Sequence, residues 1–256
     1  MKLLALLFLL PLSLLANDTA MHDGGAGPEP VGWTSGEESV VRMVREEITV
    51  EMNPIDSAVH CRFVFVNEKK NGVATQQLGF PDITRSQQDG DIMGAISEMR
   101  SFVNGQEVET SLVSKELADF GKQTWHVITA QFPPGEEVIV ERRFRTANGA
   151  TAGGPHFFGY TTQTGGNWHG RIAKGTFTVH LAEGMQAARL ELEPANGWQR
   201  SEDGRRLQLV WTDFEPRTEV NRHYWSVGWH FPGEAFGDNG TLRDALAKPY
   251  LSPSSD

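Results

Sequence analysis

The chain has 256 residues, one cysteine and a formal net charge of −10. A lone cysteine excludes an intramolecular disulfide. An acidic chain with no basic run lacks the electrostatic footprint of a nucleic-acid binder and of a protein docked on anionic lipid by charge alone. Length and composition suit one or two globular domains whose core is large enough to do without disulfides.

In chain order, Met1-Lys2 supplies one positive charge, and the thirteen residues Leu3 to Leu15 are apolar except at Pro11 and Ser13. Ala16-Asn17-Asp18-Thr19 then turns polar. A cationic start, a short apolar run and a small residue before a polar stretch predict a secretory signal over residues 1–16, cut after Ala16. The run is shorter than the ~20 residues a membrane-spanning helix needs. Without Lys2 the charge becomes −11. No cysteine follows the leader, and the chain ends in the polar Ser252-Pro253-Ser254-Ser255-Asp256. The expected product is therefore soluble, without a membrane anchor, and periplasmic or extracellular.

Residues 17–35, with Asp23-Gly24-Gly25-Ala26-Gly27-Pro28-Glu29-Pro30, read as a Gly/Pro-rich linker that neither holds a helix nor pairs as a strand. From there period-2 alternation takes over. Val44, Ile48, Val50 and Met52 share one face of a strand over 44–52, and Glu46 interrupts that face. A helix over 35–45, capped by Ser35 and Glu38, is the competing assignment. Val59, Cys61, Phe63 and Phe65 line one face of the next strand, so Cys61 is expected to be a small buried hydrophobe rather than a reactive thiol. Further strands are predicted over 73–80, 124–132 and 137–144, with a polar loop over 81–91. Asn104-Gly105 marks a hairpin, because both residues accept the positive φ of a type I′ turn. Spacing of this kind indicates a sandwich or barrel.

Residues 147–155 have almost nothing to bury and read as a boundary. Strands are predicted beyond it over 158–164, 175–181, 187–192, 207–212 and 220–231, and a short helix over 242–247 capped by Thr241. The expected fold is all-β and mostly antiparallel. It comprises an N-terminal β-sandwich over 36–147, a second β-rich, sandwich-like domain over 150–235 and a tail over 236–256 with the short helix.

Four stretches together resemble a family of exported bacterial β-rich proteins of unknown function. They are Asn17-Asp18-Thr19 after the leader; Arg62 to Asn67 leading to Gly79-Phe80-Pro81; Trp125 with Phe132-Pro133-Pro134-Gly135-Glu136; and Tyr160 to Gly165 leading to Trp168-His169-Gly170-Arg171-Ile172. The resemblance implies an exported β-rich protein and brings no activity and no catalytic residues.

The residues themselves offer little chemistry. None of the eight histidines forms His-x-His or His-x-x-x-His, so no metal site is expected. Gly-x-Ser-x-Gly, a phosphate loop and a dinucleotide fingerprint are absent, and no cofactor is expected. Asp89-Gly90-Asp91 reads as a turn rather than a calcium loop. Two carboxylates flanking a cleft would make a glycan hydrolase, with Glu46, Asp213 and Glu215 as candidates. Seven tryptophans suggest stacking on sugar, yet Trp211, Trp225 and Trp229 fall on apolar strand faces. Trp168, among Gly165, Gly166 and Gly170, is the candidate binding anchor, with His169 beside it; the alternative is that Trp168 plugs the core. The function expected is that of an exported, non-catalytic binding or scaffolding protein of the cell envelope with a protein or glycan partner. The alternative is a secreted glycan hydrolase.

Overall fold

A computed structural model describes residues 25–26, 29–30, 40–82, 96–117, 121–150, 155–185, 190–216 and 218–230. Its strands, in chain order, are β1 (Gly25–Ala26), β2 (Glu29–Pro30), β3 (Val41–Met52), β4 (Asp56–Asn67), β5 (Ala74–Asp82), β6 (Ser97–Val103), β7 (Gln106–Val108), β8 (Ser111–Leu117) and β9 (Gly121–Phe132). They continue as β10 (Glu137–Ala147), β11 (Gly149–Ala150), β12 (His156–Thr161), β13 (Ile172–Leu181), β14 (Leu190–Glu193), β15 (Gln199–Arg200), β16 (Arg206–Phe214) and β17 (Tyr224–Trp229). Two single-turn 3₁₀ segments, Gln163–Asn167 and Val220–Arg222, are the helical elements among the described residues.

The all-β expectation holds, but the layout is three sheets rather than two sandwiches. The largest has eight strands in the order β15-β16-β13-β3-β4-β10-β6-β7. It draws strands from both sides of residues 147–150, because β13 pairs in parallel with β3 along Lys174–Leu181 and Arg45–Met52. A four-stranded sheet runs β2-β5-β9-β8, and a five-stranded one runs β1-β12-β17-β14 with β11 on β12. The turn at 133–136 thus joins β9 and β10 across sheets, not within one.

Register shows that one face of the large sheet carries both smaller sheets. Leu209, Phe177, Ile48 and Cys61 lie side by side on β16, β13, β3 and β4, and all are buried. At the β4–β10 end, Phe65 meets Phe132 at 5.8 Å and Phe80 meets Phe144 at 5.3 Å, which seats the four-stranded sheet. At the β13–β16 end, Phe177 meets Trp225 of β17 at 5.4 Å, which seats the five-stranded sheet, and Trp211 of its own sheet at 5.0 Å. Aromatic pairs of this geometry add to the area they bury.

Several sequence expectations change in detail. The stretch read as linker contains two short edge strands: Gly25-Ala26 pairs with Tyr160-Thr161, and Glu29-Pro30 with Gly79 and Leu78. Edge positions accept Gly and Pro because one side of such a strand needs no ladder donor. Residues 41–45, claimed by the competing helix, are strand. A register shift between Met43 and Arg45 changes the phase of β3, so Val41 and Met43 are buried before it and Glu46, Ile48, Val50 and Met52 after it. Residues 220–223 leave the last predicted strand, which spans Tyr224–Trp229. The signal, the Asp89-Gly90-Asp91 loop and the helix over 242–247 lie outside the described residues. Asn104 and Gly105 turn the β6–β7 hairpin with φ of 49° and 80°, as type I′ geometry requires.

Candidate functional site

Trp168 follows the 3₁₀ turn Gln163–Asn167, and it is 4% exposed. Its ring lies 4.6 Å from that of Phe65, inside the shared core. The glycine-rich turn delivers the side chain inward, as the plug reading of that residue requires. His169 turns the other way: its side chain is 45% exposed, and its Nε2 lies 3.3 Å from the Glu68 carboxylate. Its backbone N–H donates to the Val41 carbonyl at 3.0 Å. The tryptophan and the histidine are sequence neighbours that do not form one surface.

The three carboxylates considered for hydrolysis do not converge on a cleft. Asp213 is an exposed partner of Arg171 at 3.0 Å, and the Glu215 backbone N–H donates to Glu219 at 3.1 Å. Glu46 is fully buried between sheets, where the Tyr160 hydroxyl donates to its Oε1 at 2.8 Å. Glu46 Oε2 and Trp225 Nε1 have no hydrogen-bond partner. Burial pushes the Glu46 carboxyl up to about 8, against the smaller, lowering effect of the Tyr160 hydrogen bond. It is thus a neutral acid at pH 7. Burial also pushes the Cys61 thiol and the Tyr160 phenol well up. The same effect lowers the Arg142 guanidinium to about 10; Arg142 donates to Ser101 Oγ at 2.5 Å and to the Leu78 carbonyl at 3.1 Å. These groups are buried core structure.

The opposite face of the large sheet is polar, and most of its charges are engaged with one another. His60 meets Glu141 at 2.7 Å, Arg62 meets Glu47 at 2.9 Å, and Arg45 meets Glu137 at 2.8 Å. One corner differs. Register sets Glu51 of β3 beside His180 of β13, and His180 beside Arg206 of β16. Alternation keeps all three off the core, since Val50, Val179, Leu181 and Leu207 are the buried neighbours. No hydrogen bond or ion pair joins the side chains of Glu51, His180 or Arg206 to any described residue.

This row forms part of the lining of a cleft of about 460 Å³ that also touches Asn53, Asp203 and Arg205. The turn preceding β16 builds its far wall. Ser201 Oγ donates to Asp203 at 2.5 Å, the Arg205 N–H donates to Asp203 at 3.1 Å, and the Arg206 N–H donates to Ser201 Oγ at 2.9 Å. The Ser201 hydroxyl, followed by the Arg205 amide, holds the Asp203 carboxyl below its ordinary range. The Arg205 guanidinium leans on the Leu181 carbonyl at 3.4 Å. The groups left open to a ligand are one carboxylate, one imidazole and one guanidinium, in that order. Among the described residues no three His, Cys, Asp or Glu gather as metal ligands.

Sequence reasoning passed over this row. Its only local signal was that Glu51 and His180 each alternate with buried residues; their adjacency needs the parallel β3–β13 pairing.

Fold and cleft together define an all-β protein built on one wide mixed sheet, with an open charged cleft at the end where β3 and β13 finish. No protein-family model and no curated protein matches the sequence. Among solved structures, the chain is similar to lpg2210, a candidate nutrient-binding protein of Legionella pneumophila, with TM-score 0.59 and 16% identity over 79% of this chain and 70% of that one. An M1 zinc metallopeptidase of Deinococcus radiodurans matches at TM-score 0.38 and 11% identity, over 73% of this chain and 42% of the peptidase. The first likeness shows a shared fold; the second is too slight to carry an argument. Fold alone does not bring function with it.

Proposed function

We propose that this is an exported, non-catalytic binding protein of the cell envelope that takes a charged partner in the cleft between Glu51 and Arg206. The observation that carries the reading is the row Glu51–His180–Arg206, whose side chains stand open in a cleft, on a face where most other charges are engaged with one another. Polar groups converging in a concavity fix the orientation of a ligand. The leader-like start, Lys2 with Leu3 to Leu15, supports export.

Of the two partner classes expected from sequence, the cleft favours a protein or peptide over a neutral glycan. Sugar recognition by stacking calls for an exposed aromatic. Among the described tryptophans, Trp168, Trp211, Trp225 and Trp229 are buried, while Trp125 and Trp198 are half-buried. A hydrolytic role would need a carboxyl kept protonated to act as acid, whereas Asp203 in the cleft is held ionised and Glu46 is sealed in the core.

The experiment is a thermal-shift screen of charged peptides and neutral oligosaccharides on the wild type and on His180→Ala. A ligand present at 100 times its Kd raises stability by about 2.7 kcal/mol, a shift of several degrees for a chain of this size. The expected result is a shift with charged peptide that His180→Ala weakens. No shift with any ligand, or turnover of an oligosaccharide that Glu51→Gln abolishes, would refute the reading.

A further inference from the structure

The cleft's charge balance points to a ligand class more specific than "charged". We infer that the cleft recognises a zwitterion whose cation and anion lie several ångströms apart, as in a free short peptide, with the cation at Glu51 and the anion at Arg206. This rests on the binding reading above.

The charges of the cleft nearly cancel. Glu51 and Asp203 stand against Arg205 and Arg206, on a chain whose net charge is −10. A neutral cleft of this kind is no funnel for anions or cations as such. Asp203 is taken up by Ser201 and the Arg205 amide, and the Arg205 guanidinium by Leu181. Glu51 and Arg206 are the charges of each sign whose side chains have no hydrogen-bond partner among the described residues, and they stand on different strands.

Their separation sets the size of the ligand. Glu51 and Arg206 sit on strands separated by one strand, β13, so their backbones are about 10 Å apart, two inter-strand spacings. The two side chains do not close on each other. An ammonium and a carboxylate held apart by two or three peptide units span that gap, whereas the adjacent charges of glycine cannot touch both sites at once. His180 stands between them and can donate to or accept from the peptide group in the middle.

Both end contacts are of the strong kind. Guanidinium-to-carboxylate and ammonium-to-carboxylate hydrogen bonds are charge-assisted and stronger than neutral ones. In an open cleft each is weakened by salt.

The test is calorimetric titration with triglycine, N-acetyl-triglycine, triglycine amide and the doubly blocked peptide, at low and at about 0.5 M salt, where screening is strong. Triglycine should bind most tightly, each block should weaken binding roughly tenfold, the loss of one charge-assisted hydrogen bond, and salt should reduce the difference. Glu51→Gln should erase the preference for a free ammonium, Arg206→Met that for a free carboxylate, and Arg206→Lys should retain the latter. Both positions lie at the surface, and circular-dichroism melts of the three variants should match the wild type.

Equal binding of free and blocked triglycine, preferences that survive the matching substitution, or no triglycine binding at millimolar concentration would each overturn the inference. In those cases a cleft that still shifts in the thermal screen with another ligand leaves the binding reading standing. A silent screen removes both.

Discussion

Replacing Glu46 by glutamine tests whether a neutral acid is sealed between the sheets. With a native carboxyl at about 8 and an ordinary value of 4.5, the unfolded chain releases a proton over this range that the folded chain keeps. The unfolded state then binds fewer protons, so stability falls as pH rises, by up to about 1.4 kcal/mol per pH unit. The loss amounts to about 3 kcal/mol by pH 7 and about 5 kcal/mol above pH 8. The substituted amide cannot ionise, and its carbonyl can still accept from Tyr160. Its second N–H adds a roughly constant burial cost of about 1–3 kcal/mol, which changes the offset between the two proteins and not the slope. Urea unfolding at half-unit steps from about pH 4.5 to 9, the window that spans both values, gives the difference in stability directly. That difference should move in favour of the variant by several kcal/mol across the range. Parallel curves would mean that Glu46 is ionised in the native state, and the account of the core would be wrong.

Trp168→Ala should destabilise by about 3–5 kcal/mol, the cost of truncating a buried aromatic, whereas His169→Ala should leave the melt within about 0.5 kcal/mol, as expected of a surface substitution; thermal melts of both separate core from surface at adjacent positions. Cys61, buried and with its thiol pushed up, should react slowly with a thiol reagent until the protein unfolds, and Cys61→Ala should cost on the order of 1 kcal/mol. Fast labelling of native protein would contradict that packing. Intact-mass analysis of exported protein should show the loss of roughly 16 to 20 N-terminal residues; a full-length cytoplasmic product would remove the support for an envelope role.

How much was legible follows from which interactions are local. The face Val59–Cys61–Phe63–Phe65 was readable because alternation is a property of a few consecutive residues, and all four are buried. The turn at Asn104-Gly105 was readable because φ preference belongs to the residue itself. Glu46 was harder. By alternation it sits with Ile48 and Val50, and a carboxylate there looks like an interruption. The Tyr160 hydroxyl reaching in from β12, and a carboxyl that burial keeps protonated, are what let it remain inside.

By itself the sequence determined the class of the protein: an all-β chain with strands and hairpins where alternation and turn chemistry place them. It also determined an acidic surface and a cysteine turned inward. Only the tertiary structure decided how the strands join. A stretch with nothing to bury at 147–155 looks like the end of a domain, yet β13 returns to pair with β3 and carries one sheet across it. Backbone hydrogen bonds between distant strands are indifferent to side-chain identity, so no local pattern announces them. The cleft shares that origin, because Glu51, His180 and Arg206 come from three separate stretches and become neighbours only through register.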